Sequence, residues 1–347
     1  MRSYTLLLLS SIIYLSVSAQ TIRTTDDAMK QIEIVEGNDS LTACNIYKWI
    51  TTNIKYDMKG YQLVQSGVPA ASQSPDKVVR FKKGVCEGYA NLYESMCTKA
   101  GLKCEIITGY ARGGAYRLFK RNIPENHAWN AVLVDGDWRL VECTWGAGYL
   151  DQNSRFHFEE NLNYFFADPQ FIGESHYPFD PMWQLRSNPS SHEQYSAENN
   201  DIRDQGFSYN DTIRDYLKLD DTEQMITSSH RMLRYDNQNP IGLSNLASFY
   251  LDETQQIINR QHDRLMEAQK NKSTLSNQER YMNEIDKAER YTDLGEKYIE
   301  LLVDRNGQSN LKAYRGEAKA AISEYRTYFK KQRKWFTEYF KNPVPLG

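Results

Sequence analysis

Apolar side chains recur at helical spacing in the first part of the chain. They occupy Ala43, Ile46, Trp49, Ile50 and Ile54 within residues 41–54. This spacing predicts an amphipathic helix. Residues 57–76 are rich in Gly, Ser, Pro and Gln, a composition that favours a loop. A second helix is predicted to begin at Cys86, because Gly84 precedes it and Gly101 stands where such a helix would end.

The next apolar segments have the composition of strands. Residues 104–110 are rich in β-branched side chains, and two further apolar runs, 127–134 and 137–145, flank the dipeptide Asp135-Gly136. Asp-Gly between two apolar runs is a strong signal for a β-hairpin. We therefore predict three strands after the second helix, of which the last two form a hairpin.

The pattern changes again in the second half of the chain. Residues 163–168 predict one more strand, whereas residues 191–209 are polar and are interpreted as a linker. Apolar residues then keep helical spacing without a clean repeat. We predict an α+β domain at 20–190, with the second helix packed on an antiparallel sheet. An all-α domain of unknown role follows at 210–347.

Composition and charge narrow the classes of function. The chain has 347 residues, enough for two domains that each bury a core. Its hydrophobic fraction of 40% is typical of globular proteins. The formal net charge of −3 lacks the basic footprint of a nucleic-acid binder, so we expect no nucleic-acid partner.

The N-terminus has the pattern of a secretory signal peptide. Arg2 precedes an apolar stretch that is too short to span a bilayer, and the small residues Val17 and Ala19 precede a cut predicted after Ala19. We therefore exclude residues 1–19 from the fold and expect an exported protein, whether periplasmic, surface-associated or secreted. The alternative is an uncleaved anchor. No later run approaches the roughly 18 apolar residues of a membrane helix.

The cysteine pattern argues against a structural metal site. The five cysteines are Cys44, Cys86, Cys97, Cys104 and Cys143, and no Cys-x-x-Cys motif occurs among them. Because the number of cysteines is odd, at least one cysteine stays unpaired if disulfides form within the chain. Apart from Cys86, we interpret these residues as small buried side chains. We predict no metal and no cofactor.

Cys86 and His127 are candidates for nucleophilic catalysis. Cys86 opens the second predicted helix, where free backbone N–H groups and the helix dipole favour the reactive thiolate. Taken alone, a cysteine at a helix start is more often buried and inert. His127 at the start of a strand could accept the thiol proton and later protonate a leaving amine. Such a base needs a third group that fixes its ring.

The predicted hairpin supplies a candidate for that third group. If Asp135-Gly136 forms a two-residue turn, Trp129 lies opposite Glu142, and His127 lies diagonal to Glu142. The diagonal separation is about 7–8 Å between backbones, within reach of a long side chain. Glu142 is then placed to orient the imidazole. A three-residue turn would instead put Glu142 on the face of Asn130.

Three stretches of sequence resemble a known family. They are GVCEGYANLYESMCTKAGLKCEIITGY, ENHAWNAVLVDGDWRLVECTWGAGY and YFFADPQFIGESHYPFDPMWQL. In this order they resemble the transglutaminase-like superfamily, and within it the kyphoscoliosis peptidase type. The resemblance runs from about Ile46 to Leu185 and leaves the helical C-terminal part uncovered.

The resemblance implies a papain-like α+β fold with a Cys–His–Asp triad. By position, Cys86 matches the nucleophile and His127 matches the base. The third position usually holds aspartate, and this sequence has Glu142 there. The extra methylene of Glu142 lengthens its reach, so the strand spacing or the ring position must adjust. Asn130 is the alternative orienting residue, although a two-residue hairpin points it to the opposite face.

The sequence specifies less about the oxyanion donors and the walls of the site. The backbone N–H of Cys86 is a natural first donor to an oxyanion. A second donor should come from before the helix, and Tyr56, Tyr61 and Gln62 are unranked candidates. Trp129 shares the predicted face of His127 and could form a wall of the site.

The expected activity is thiol-dependent acyl transfer on a protein or peptide amide. If water resolves the acyl-enzyme, the protein is a cysteine peptidase or amidase, which export and the resemblance favour. If an amine resolves it, the protein is a transglutaminase. The alternative from a different class is a non-catalytic binding or scaffold module. The helical domain is interpreted as a platform for a substrate or a protein partner.

Overall fold

A computed structural model describes most of the chain. The described residues are 22–66, 68, 71–112, 125–197, 209–303 and 309–346. The predicted signal peptide therefore lies outside the described residues. The same holds for most of the segment between the first two predicted strands and for the second half of the predicted linker.

Thirteen α-helices are present in these ranges, numbered here in chain order. In the first part they are α1 (Thr25–Met29), α2 (Asp39–Asn53), α3 (Met58–Gln65), α4 (Pro75–Phe81), α5 (Cys86–Lys99), α6 (Cys143–Gly146), α7 (Pro169–Gly173) and α8 (His192–Ser196). In the second part they are α9 (Asn210–Tyr216), α10 (Asp221–Tyr235), α11 (Pro240–Lys270), α12 (Gln278–Leu301) and α13 (Ser309–Tyr339).

Nine short strands form three sheets within the described residues. They are β1 (Lys55–Tyr56), β2 (Lys83–Gly84), β3 (Cys104–Ala111), β4 (Glu125–Val134), β5 (Asp137–Val141), β6 (Gly148–Leu150), β7 (Phe156–Phe158), β8 (Phe165–Ala167) and β9 (His176–Pro178). The main sheet is antiparallel with the order β8-β5-β4-β3-β9. The pairs β1-β2 and β6-β7 form separate two-stranded sheets.

Helix α5 is the central helix of the α+β part. Its buried face joins α2 and strands of the main sheet in one hydrophobic core. Two buried tyrosines on α5 tie it to this surrounding shell, because the hydroxyl of Tyr89 donates to the carbonyl of Ile54 at 2.6 Å and that of Tyr93 to the carbonyl of Ala43 at 3.4 Å. These hydrogen bonds fasten α5 to α2.

The predicted hairpin is confirmed, with its register. Val134 pairs with Asp137 and Asn130 pairs with Val141. Asp135 and Gly136 have φ values of 52° and 85°. Positive φ at both turn residues matches the tight turn that follows the right-handed twist of a hairpin. The two-residue turn is thus the alternative that the protein adopts.

Two predictions about local structure are wrong. The strand predicted over 137–145 ends at Val141, because the carboxylate of Glu142 caps a helical turn that begins at Cys143. The segment predicted as a loop contains α3, whose first turn is capped by the side chain of Asp57. In both places a side-chain cap overrides the composition of the segment.

The helical second part contacts the main sheet through its edge strand. Arg231 of α10 donates to the carboxylate of Asp180, at 2.7 Å for the shortest contact. Met232 packs with three aromatic residues of the sheet edge and with Tyr195 of α8. The first half of the segment interpreted as a linker therefore contains a short helix with a buried side chain. Among the described residues, no helix is long and apolar enough to cross a bilayer.

The observed architecture is the predicted one at the level of fold class. An α+β core holds α5 against an antiparallel sheet, and from residue 209 onward every described element is helical. Three long helices, α11, α12 and α13, build two further hydrophobic clusters there. The features that bear on chemistry all lie in the first part.

A close approach at Gly109 predicts the effect of a substitution. A Cβ at this position would overlap the carbonyl oxygen of Tyr177 and lie 2.7 Å from the Cα of Pro178. We expect Gly109→Ala to lower the free energy of unfolding by about 1–3 kcal/mol, because β9 must move away. Urea unfolding followed by circular dichroism measures this change.

The matched control is Gly316→Ala in α13. No atom lies within 4 Å of a Cβ built there, and alanine is the better helix former by up to about 1 kcal/mol. This variant should be neutral or slightly stabilised. Equal stability of Gly109→Ala and the native protein would contradict the close approach of β3 and β9.

Candidate active site

Cys86 is the first residue of α5 and is partly exposed. It follows Val85, whose extended backbone leads into the helix. The N–H of Val85 donates to Oε1 of Gln73 at 3.0 Å, which holds the approach to the helix in place. A thiol at this position faces the unpaired end of a helix dipole, an environment that favours negative charge.

His127 lies on β4 between Cys86 and Glu142. Its Nε2 is 2.7 Å from Oε2 of Glu142, and the thiol of Cys86 lies close enough to His127 to raise the pKa of the ring. The imidazole is 9% exposed. The structure therefore brings the three predicted residues together in the order thiol, imidazole, carboxylate.

The carboxylate of Glu142 is completely buried, with 0% of its side chain exposed. Oε1 accepts hydrogen bonds from the backbone N–H groups of Thr144 at 2.7 Å and Trp145 at 3.1 Å. Oε2 contacts Nε2 of His127 and, at 3.2 Å, Nε2 of His176. Four groups thus surround one carboxylate, which is what a buried charge requires.

Charge and burial compete at His127 and Glu142. Burial lowers the pKa of His127, but the negative charge of Glu142 and the hydrogen bonds with Cys86 and Glu142 outweigh it and raise that pKa to about 10. Burial raises the pKa of Glu142, yet the charge and hydrogen bond of His127 and the hydrogen bond of His176 hold it below its usual range. The pair is therefore ionised at neutral pH.

His176 is a residue of the site that sequence reasoning missed. It opens β9, its side chain is 1% exposed, and its Nδ1 lies 2.8 Å from the hydroxyl of Ser175. Burial lowers the pKa of His176 despite the nearby charge of Glu142, so its ring is neutral at pH 7. A histidine inside the third stretch that resembles the family was the available signal, but its partner lies 34 positions earlier.

Aromatic rings surround the two histidines. Trp129 stacks on His127 with ring centroids 5.9 Å apart and is 2% exposed, so it forms a wall of the site. Trp145 contacts both rings, at 5.8 Å from His127 and 4.5 Å from His176. These rings exclude water from the carboxylate side of the site.

The alternative orienting residue, Asn130, points away from the site. Its amide donates to the carbonyls of Ala90 at 3.1 Å and Glu105 at 3.3 Å. It thereby ties α5 to the sheet on the opposite face from His127. The hairpin register explains this placement, because residues 127 and 130 differ by an odd number of positions.

The three oxyanion candidates occupy different positions. Tyr56 lies on β1 and pairs through its backbone with Gly84, two residues before Cys86. The ring of Tyr61 packs on that of Tyr56, with centroids 6.1 Å apart. Gln62 is exposed on α3. Tyr56 is therefore the candidate whose strand pairs with β2, the strand that leads to the start of α5.

One group of described residues offers metal-ligating atoms at short range. His127, Glu142 and His176 each present one such atom, all within 4.8 Å of one another. Two imidazoles and a carboxylate are a set that zinc accepts. In the protein, however, these same atoms are paired with each other by hydrogen bonds.

The other four cysteines lie outside this arrangement. All five cysteines are free thiols, and Cys97, Cys104 and Cys143 are buried. Burial raises the pKa of Cys104 and Cys143 well above the ordinary value, and burial also raises the pKa of Cys44. These thiols are disfavoured as anions. Cys86 is the cysteine whose thiol influences the pKa of His127.

Comparisons with known proteins find similarity in the first part of the chain. Residues 29–143 match the model of the Transglutaminase-like superfamily. Kyphoscoliosis peptidase of Mus musculus is 38% identical over 152 residues, which cover 43% of this chain and 22% of that protein. Hillarin of Drosophila melanogaster is 28% identical over 190 residues, 51% of this chain and 22% of that protein.

The chain thus spans less than a quarter of the length of these relatives. Among solved structures, a candidate cysteine protease from Cytophaga hutchinsonii is similar at 26% identity, with a TM-score of 0.27. The similarity covers 35% of this chain and 36% of that one.

The raised pKa of His127 predicts a pH-dependent stability. A histidine whose folded pKa is about 10 and whose unfolded value is 6.5 stabilises the fold fully below pH 6.5. That contribution is lost as the pH rises toward 10. In a Cys86→Ala background, the stability advantage of His127 over His127→Gln should therefore shrink between pH 6 and pH 10. Urea unfolding at pH 6, 8 and 10 measures it.

Glu142→Gln in the same background is the control for the cause of this effect. It removes the negative charge that holds the proton on His127, so the pH-dependent advantage should largely vanish. An advantage of His127 that is equal at pH 6 and pH 9 would contradict the ionised pair.

Proposed function

Because residues 29–143 form a transglutaminase-like domain, we propose that this chain is a thiol-dependent acyl-transfer enzyme acting on protein or peptide amides. Cys86 is the nucleophile, His127 the general base and acid, and Glu142 the orienting carboxylate. The observation that carries the proposal is a thiol at a helix start, beside an imidazole that is hydrogen-bonded to a fully buried carboxylate.

The first half-reaction breaks the amide bond. The thiolate of Cys86 attacks the carbonyl carbon of the amide, and the N–H groups at the start of α5 are the donors to the oxygen on which charge develops. His127, as the imidazolium, transfers its proton to the leaving amine. A thioester to Cys86 and a free amine are the products of this half-reaction.

The second half-reaction releases the acyl group. Neutral His127 takes a proton from the incoming nucleophile, which attacks the thioester carbon, and the thiolate leaves while the imidazolium is restored. Water yields a carboxylic acid, and an amine yields a new amide. The same residues serve both outcomes.

Glu142 gives His127 the geometry and charge that both half-reactions need. Its negative charge favours the imidazolium, and its fixed carboxylate selects the ring orientation that turns the other nitrogen toward Cys86. This family usually has an aspartate at this position. The backbone N–H groups of Thr144 and Trp145 hold the longer side chain of Glu142 in place.

We favour hydrolysis over transamidation. The relatives that share 38% identity carry the name kyphoscoliosis peptidase, and the N-terminal pattern of this chain supports export. We accordingly propose an exported peptidase or amidase. The helical part is proposed to hold a protein substrate or partner.

The test is mass spectrometry of peptides after incubation with the protein, with and without an added primary amine. A peptide library loses intact peptides and gains cleavage or deamidation products if water is the acceptor. Incorporation of the amine mass identifies transamidation. We expect Cys86→Ala and His127→Ala to lose activity by at least about 10²-fold, the usual contribution of such groups.

Cys44→Ala is the matched control for the thiol. Cys44 is also a partly exposed cysteine, but it lies on α2 outside the site, so this variant should keep native activity. Binding of peptides without any product, unchanged in Cys86→Ala, would contradict the proposal and indicate a scaffold module.

A further inference from the structure

We propose that His176 is a positioning residue that fixes the carboxylate of Glu142 in place against His127. The catalytic row is thereby extended to four residues: thiol, imidazole, carboxylate and a second imidazole. This inference rests on the proposed function, because it concerns how the same site is held.

The carboxylate needs this second imidazole for its orientation. Oε1 of Glu142 accepts from two backbone N–H groups of its own helical turn, whereas Oε2 is the oxygen that contacts His127. His176 contacts Oε2 at 3.2 Å. It lies on β9, the edge strand at the other end of the main sheet from β8. A glutamate has one more rotatable bond than an aspartate, so an external contact restricts it more.

The protonation of His176 suits this role. Its ring is neutral, and the anionic oxygen of Glu142 requires a donor, so Nε2 carries the hydrogen. Nδ1 is then an acceptor, and the hydroxyl of Ser175 at 2.8 Å is placed to donate to it. The same hydroxyl lies farther from the carbonyl of Ile172, at 3.3 Å, which agrees with this assignment.

The sheet register places the two histidines on one face. Gly109 of β3 pairs with His127, and Ala111 pairs with His176. Residues two apart on a strand share a face, so both imidazoles project to the same side of β3. The two residues between them are small, which leaves room for rings whose centroids are 5.2 Å apart.

A metal ion is the competing explanation for this cluster. Its three ligand atoms lie within 4.8 Å of one another. We favour the positioning role because the thiol of Cys86 lies near His127 and raises the pKa of its ring, and because both oxygens of the Glu142 carboxylate already have hydrogen-bond partners. Zinc at this position would compete with the contact between His127 and Glu142.

The test measures alkylation of Cys86 by iodoacetamide as a function of pH, which requires no substrate. We compare the native protein with His176→Ala and His176→Gln. The amide nitrogen of glutamine can replace the Nε2 donor. With a poorly held Glu142, His176→Ala should reach half of its maximal alkylation rate about one pH unit higher. His176→Gln should restore most of the native profile.

A control variant distinguishes the positioning of Glu142 by His176 from a purely structural role of His176 in β9. The hydroxyl of Tyr195 donates to the carbonyl of Ser175 at 2.9 Å, next to His176. Tyr195→Phe should lower the melting temperature yet leave the alkylation profile unchanged. If His176→Ala also lowers only the melting temperature, the inference is overturned.

Zinc binding, the competing explanation, is tested by a separate measurement. One equivalent of zinc retained by the native protein after dialysis, and lost in His176→Ala, would replace the positioning role by a metal site. Because alkylation is independent of turnover, a shifted profile in a protein that forms neither hydrolysis nor transamidation products would refute the proposed function and keep the inference about His176.

Discussion

The whole site depends on the burial of one negative charge. A carboxylate removed from water is unfavourable unless hydrogen-bond donors and a positive charge replace its hydration. Glu142 has both, from two backbone N–H groups, the imidazole of His176 and the imidazolium of His127. The proton on His127 is therefore part of what stabilises the fold around this carboxylate, and the same proton is the one that acyl transfer requires.

Three elements contribute the four members of this arrangement. The hairpin supplies His127 and Glu142, the central helix supplies Cys86, and edge strand β9 supplies His176. The hairpin fixes its two residues by local geometry, whereas α5 and β9 reach the site through tertiary packing. The contact between Arg231 and Asp180 fastens the helical part close to β9, so that part of the chain borders the edge on which the second imidazole depends.

Features that depend on residues close together in the sequence could be predicted, whereas features that depend on long-range contacts could not. Asp135-Gly136 sets the hairpin register, so the closeness of His127 and Glu142 was predictable from residues 125–149 alone. The local structure at Glu142 was not predictable, because its carboxylate ends the strand and caps a helical turn. His176 and Gln73 escaped prediction, since their contacts with Glu142 and Val85 join segments that only the folded chain brings together.

The most direct test of this account is the titration of the His127 ring nitrogens, followed by NMR in protein labelled with ¹⁵N-histidine and assigned with His127→Gln. The buried charge of Glu142 predicts that His127 remains an imidazolium at pH 8 and loses its proton with a pKa of about 10. Loss of that proton near the ordinary histidine pKa of 6.5 would contradict the ionised pair on which the site depends.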